Sequence, residues 1–348
     1  MEDRAAVTTP EPVHTRALGV RAALRADRKV EARGYLIDLR TRGFLPVGGS
    51  MQGMGIIHHM ELTWVIDPAT DTVEQVVAAQ PTVAFEASPE TGGESCRDPV
   101  ARLAAAAGTR LGKAQTGAMR DAAGGPLGCS HLVTLAFFMD GALRAGLARD
   151  RARHPGRLGD GGVASTLFQR DLVADARERT DGRVTVVLRL NDLDWNDAPP
   201  GRLAPERFAR HHELDATLEV DLWPGNLLEL VGRERLRTAA DFAGVAWTDR
   251  SELLARLCGL GLARGAAGEI AARLGDAPEV APWRDAFLML APALVQCRAA
   301  HPDAWHDKVR TTMRHPGLTA IPDSCYMWRR GGALERIRQD LGAGKRGR

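Results

Sequence analysis

At 348 residues, with 44% apolar and 26% charged positions, the chain has a globular composition and is long enough for two domains. Its 46 basic and 44 acidic residues leave a formal charge of +2, which points to neither a nucleic-acid face nor a membrane face. No apolar run approaches the roughly 18 residues of a membrane span. The start, Met1-Glu2-Asp3-Arg4, carries no apolar leader, and the five irregularly spaced cysteines form no disulfide framework, so a reduced, cytoplasmic protein is expected.

In chain order, residues 1–12 read as a disordered N-terminus and Tyr35 to Leu39 as a strand. His58 to Asp67 and Thr72 to Val76 alternate with period two, which is the pattern of a β-hairpin with one buried face carrying Leu62, Trp64 and Ile66. Asp98 as N-cap and Pro99 at the first helical position open a helix. Gly124 to Gly128 then leads into a longer helix from His131 to Asp150, whose Leu132, Leu135, Ala136, Met139, Leu143 and Leu147 form a core stripe. A Gly/Arg-rich stretch, residues 152–162, reads as a linker. The same order then recurs. Val184 to Leu190 reads as a strand, and His211 to Asp221 and Leu227 to Val231 as a hairpin turning at Trp223-Pro224-Gly225-Asn226. A helix opens at Asp249, and a longer one runs from Trp283 to about Ala299. The expected fold class is therefore α+β. Two related β-β-β-α-α repeats, residues 13–151 and 163–303, would carry small antiparallel sheets with packed helices and form a pseudo-dimer. Residues 304–348 make a C-terminal extension.

The residues with chemistry fall in the first repeat. Cys129 and His131 stand two apart at a helix N-terminus, where backbone N–H groups lower a thiol pKa, and Cys96 lies before another helix start. Thiolates with imidazoles select zinc or iron over magnesium and calcium. Cys96, Cys129 and His131 are the expected ligands. Only one of His58 and His59 can face the site on a strand, and His59 is chosen as fourth ligand or proton shuttle. Three readings stay open: a metal site, a thiol nucleophile with a histidine base, and a purely structural core. Aligning the last helices so that Asp150 meets Asp303 places Cys129 near Pro282 and His131 near Arg284, so the second copy reads as degenerate.

Weaker features complete the chain. The acidic run Asn191 to Asp197 lacks the EF-hand spacing and reads as a solvated loop. Gly124 to Gly128 matches no phosphate-binding fingerprint, so no nucleotide cofactor is expected. Cys258 and Cys297 read as core. Ser324 to Arg330 reads as a packed C-terminal strand or a lid bearing Cys325.

Val13-His14-Thr15-Arg16, His59-Met60, the lone Cys96 and Gly128-Cys129-Ser130-His131-Leu132 together resemble a bacterial domain-of-unknown-function family, number 2889, over residues 13–150. That resemblance implies no activity. Cys96, Gly112-Lys113 and Cys129 to Leu132 bear a more distant likeness to NifU-type iron–sulfur scaffold domains, which implies a metal or cluster site. The expected function is a metal-dependent enzyme, using zinc or iron, that acts on a small organic substrate. The alternatives are a metal or iron–sulfur accessory protein with a protein partner, and Cys/His catalysis without metal.

Overall fold

The computed structural model describes residues 11–41, 54–158, 165–179, 181–196, 207–222, 225–262, 265–300 and 323–342. The expected N-terminal disorder over 1–10, the heart of the linker (159–162), Trp223-Pro224, Asp197, the end of the second repeat (301–303) and residues 304–322 and 343–348 of the C-terminal extension lie outside the described residues.

Among the described residues, ten antiparallel strands form one sheet. In chain order these are β1 (Glu11–Leu24), β2 (Val30–Arg40), β3 (Gly55–Asp67), β4 (Thr72–Thr82), β5 (Thr109–Arg110), β6 (Ser165–Glu178), β7 (Arg183–Trp195), β8 (Phe208–Asp221), β9 (Leu227–Thr238) and β10 (Thr248–Asp249). Across the sheet they run β10-β9-β8-β7-β6-β1-β2-β3-β4-β5, with β1 and β6 paired at the centre. The helices are α1 (Lys113–Ala123), α2 (Ser130–Arg153), α3 (Ser251–Ala255), α4 (Ala266–Leu274), α5 (Ala281–Leu288), α6 (Leu290–Ala299) and α7 (Ala333–Gly342). A 3-10 helix covers Asp98–Ala106. The molecule is thus a mixed α/β protein built on a large antiparallel sheet.

Strand parity sorts the two faces. Along β2, Val30, Ala32, Gly34 and Leu36 are buried while Glu31, Arg33, Ile37 and Leu39 stand toward solvent. The buried face lies under α2, which packs over β1, β2, β3 and β6, and under α6, which packs over β1 and β6. The other face is lined by polar pairs such as Tyr35 Oη donating to Asp171 Oδ1 at 3.2 Å. Gly34 sets the closeness of α2. A Cβ there would drive into the Met139 sulfur and lie 3.2 Å from Leu135 Cδ1. Gly34→Val is therefore expected to lift α2 from the sheet at a cost of about 1–3 kcal/mol in denaturant unfolding. An unchanged midpoint would show that the helix yields freely.

Several expectations change. Two separate small sheets are replaced by one, because β1 and β6, both missed in the sequence, join edge to edge. Their buried parity carries Arg16 and Arg170 among Leu18, Val20, Leu172 and Ala174, so a charge interrupts the apolar alternation. The run from Asn191 is the end of β7, and Asp192 and Asp194 are buried. Asp192 accepts from Arg170 (2.7 and 2.7 Å) and Asp194 from Arg149 (2.8 and 2.9 Å). The expected long helix from Trp283 breaks at Met289 into α5 and α6, since Pro292 supplies no N–H and its ring opposes the carbonyl of Leu288. Cys297 is buried as expected, but Cys258 is exposed. The Cys325 segment is a short 3-10 helix, Tyr326–Trp328, rather than a strand. No helix among the described residues is long and apolar enough to cross a membrane.

The β8–β9 hairpin has its own buried acid. Burial alone would raise the Glu234 carboxyl, but hydrogen bonds from His212, Arg250 and Trp283 hold it down at about 2. A carboxyl whose folded value is depressed stabilises the fold above its ordinary range and loses that contribution as pH falls toward the folded value. Glu234→Gln should therefore lower Tm at pH 7, with the gap from wild type closing between about pH 4.5 and 2. A gap that is constant with pH would contradict this.

Candidate functional site

Three adjacent strands place one row of polar side chains on the helix-covered face. Register sets Arg16 of β1 opposite Asp38 of β2, and Asp38 opposite His58 of β3. His14, two residues before Arg16, reaches the same carboxylate, and His131 enters from the first turn of α2. Asp38 is the hub. Its Oδ1 accepts from Arg16 Nε at 2.7 Å and lies 2.9 Å from His14 Nε2. Its Oδ2 accepts from Arg16 Nη2 at 2.9 Å and lies 3.1 Å from His58 Nδ1 and 3.3 Å from His131 Nε2. The His58 and His131 rings lie against each other, centroids 4.0 Å apart and planes tilted by 31°. The Arg16 and Asp38 side chains are 0% exposed, while His58 is 8% and His131 17% exposed, so these two imidazoles form the accessible edge.

The electrostatics follow from this burial. Taking Asp38 out of water would raise its carboxyl, but the Arg16 guanidinium and hydrogen bonds from His131, His14 and His58 hold it well below the usual range. Burial pushes His131 down to about 3, helped by the facing His58, and pushes His14 down against the pull of Asp38. The His131 imidazole is neutral at pH 7, as metal ligation or base catalysis requires.

The carboxylate is crowded. Oδ2 has two lone pairs for three neighbours, Arg16, His58 and His131. Gln296 of α6 brings its Nε2 to 3.5 Å from the same His131 Nε2 that faces Asp38.

The residues picked from sequence are placed as follows. His131 is in the cluster. Of the histidine pair, His58 faces Asp38, while His59 points the other way and sits 3.3 Å from Glu61. Cys129 is the N-cap residue of α2, and its sulfur is 4.0 Å from His131 Nδ1. That is the ring edge opposite the one facing Asp38, so one ion cannot take both. Cys96 is outside the histidine cluster; it packs against Met327 and Leu334 and also against the core that contains Cys129. The expected low thiol pKa is not found. Burial raises Cys129 to about 11, outweighing the backbone N–H groups of Leu132 and His131, and it raises Cys96 as well. The C-terminal segment folds back here, with Tyr326 N–H donating to Gly128 O at 2.7 Å and Arg329 pairing with Glu94. Cys325 is thus brought beside Cys96.

The centre therefore defines an α/β protein with a buried carboxylate ringed by histidines, contributed by the first three strands and the head of α2. Residues 14–144 match the model of the family described as a protein of unknown function, DUF2889. No curated protein and no solved structure matches the chain, and the NifU-type likeness is not among the matches.

Asp38, Arg16, Gln296 and Cys297, whose sulfur is 4.0 Å from His14 Nδ1, were absent from the expected site. Asp38 left one trace in the sequence, a carboxylate on the apolar parity of Tyr35-Leu36-Ile37-Asp38-Leu39.

Proposed function

We propose that the chain is a metal-dependent enzyme, using zinc or iron, in which Asp38, His58 and His131 are the ligands and a small organic substrate enters at these two histidines. One observation carries this reading: one ligand atom from each of the three lies within 4.8 Å of the others. Oδ2 is 3.1 and 3.3 Å from the two imidazole nitrogens. Ligands about 2.1 Å from one ion, at tetrahedral or octahedral angles, lie about 3.0–3.4 Å apart. Two histidines and a carboxylate also leave positions open for water and substrate. Arg16 and His14 then act from behind, fixing the carboxylate that binds the ion. Bound metal would acidify a water or polarise a substrate oxygen. The chain's own residues keep Asp38 ionised and His131 neutral.

The test is elemental analysis of untagged protein. About one equivalent of zinc or iron is expected in wild type and in Cys129→Ala, and none in His131→Ala. Folded wild type that takes up neither metal overturns the reading.

A second reading rests on the line from Cys129 Sγ to His131 Nδ1 (4.0 Å) and from His131 Nε2 to Asp38 (3.3 Å), the order of a thiol nucleophile, base and orienting acid. We place it second because a thiol that burial raises to about 11 and that is 7% exposed is a poor nucleophile. An accessory role with a protein partner has no observation in its favour.

We further read the chain as two related units. Arg16, Asp38 and His58 recur, at one constant separation, as Arg170, Asp192 and His212, and the same separation sets Glu234, Trp283 and Asp285 where the first unit has Gln80, Cys129 and His131. The central β1–β6 pairing and the Arg–Asp pair on each side support a pseudo-dimer in which only the first unit keeps the histidine cluster. The pairing shifts the sequence alignment by one residue. Free thiols suit a reducing compartment, and we assign the chain to the cytoplasm.

A further inference from the structure

Arg170 uses all three guanidinium nitrogens. Nε and Nη2 donate to Asp192 at 2.7 Å each, and Nη1 donates to Asp285 Oδ2 at 2.7 Å. Arg16 holds Asp38 in the same orientation through Nε and Nη2. Its Nη1 is buried and has no hydrogen-bond partner among the described residues. At the separation that relates Arg16 to Arg170, the counterpart of Asp285 is His131. The first centre has therefore exchanged a carboxylate for a neutral imidazole and left a buried cationic donor unanswered.

A buried N–H of a charged group without a partner is costly, and a charge-assisted bond to a carboxylate is among the stronger ones available. Asp38 is already neutralised by Arg16, so a divalent ion at Asp38, His58 and His131 would leave the centre strongly positive and would favour an anionic ligand.

We infer that the site takes a small carboxylate-bearing substrate, with Arg16 Nη1 as the anchor for its carboxylate in the place that Asp285 fills beside Arg170. The inference deepens the proposed function and rests on substrate reaching the centre past His131. His131, 17% exposed and 3.5 Å from the Gln296 amide, is the side chain that turns aside to admit the carboxylate to Arg16. Arg16 is then a binding residue as well as the partner of Asp38.

The test compares acetate with acetamide on full-length protein stripped of metal by a chelator, so that any preference for the acid is not coordination to an ion. Binding is read by calorimetry and by Tm. Acetate is expected to bind at least roughly tenfold more tightly than acetamide, the effect of about one charge-assisted hydrogen bond. His131→Asp supplies an internal carboxylate and should raise the basal Tm while abolishing the acetate preference. The paired variant Arg16→Gln/Asp38→Asn, which leaves no lone buried charge, should lose the preference too. Equal binding of acetate and acetamide by wild type overturns the inference, as does a preference that survives in either variant. A wild type that binds no metal but prefers acetate keeps this subsite and sinks the metal reading. Metal uptake without any acid preference does the reverse.

Discussion

His58→Ala is expected to weaken metal binding by at least about 100-fold, beyond the 10–100-fold typical of losing a group that only orients a ligand. His59→Ala should leave it unchanged. The two residues are neighbours on β3, yet they point to opposite faces. His58 lies 3.1 Å from Asp38 with an 8% exposed side chain, whereas His59 sits 28% exposed beside Glu61. Titration of chelated protein with zinc against a competing chromophoric chelator reads both variants. Equal losses in the two would mean that the pair serves the strand rather than an ion.

The second large effect belongs to Asp38→Ala. Removing the carboxylate leaves Arg16, fully buried, without its bidentate partner, and breaking such a pair costs about 3–5 kcal/mol. Burial of two charges is itself expensive, so the joint replacement Arg16→Met/Asp38→Leu should cost far less, or nothing. Urea unfolding of metal-free protein measures both. A loss under about 1 kcal/mol in Asp38→Ala would show that water reaches Arg16 once its partner is gone. The double variant also separates stability from function, since it should fold and yet bind no metal.

Much of the scaffold was legible because alternation and turn residues are local signals. The hairpins at His58 and His211 and the helix after Gly128 need only period two, period 3.6 and a glycine-rich approach. The missing strands, β1 and β6, bear arginine on the parity that should be apolar. Only pairing across the sheet explains how Arg16 and Arg170 are buried, because their partners, Asp38 and Asp192, lie on the next strands. The same nonlocality hid the centre. His14 and Arg16 were visible as a motif, but nothing in their own segment shows that they converge with His58 and His131 on one carboxylate. Cys129 misled for a related reason. A thiol at a helix start reads as activated, whereas the packed loop and the returning Tyr326 segment bury it, and desolvation outweighs the helix.

X-ray absorption at the metal edge of the loaded protein tests the central claim most directly, because it reports what touches the ion. Ligation by Asp38, His58 and His131 predicts a first shell of nitrogen and oxygen alone, at about 2.0–2.2 Å for zinc. A sulfur at about 2.3 Å, lost in Cys129→Ala, would contradict that ligand set and restore the cysteine site expected from the sequence.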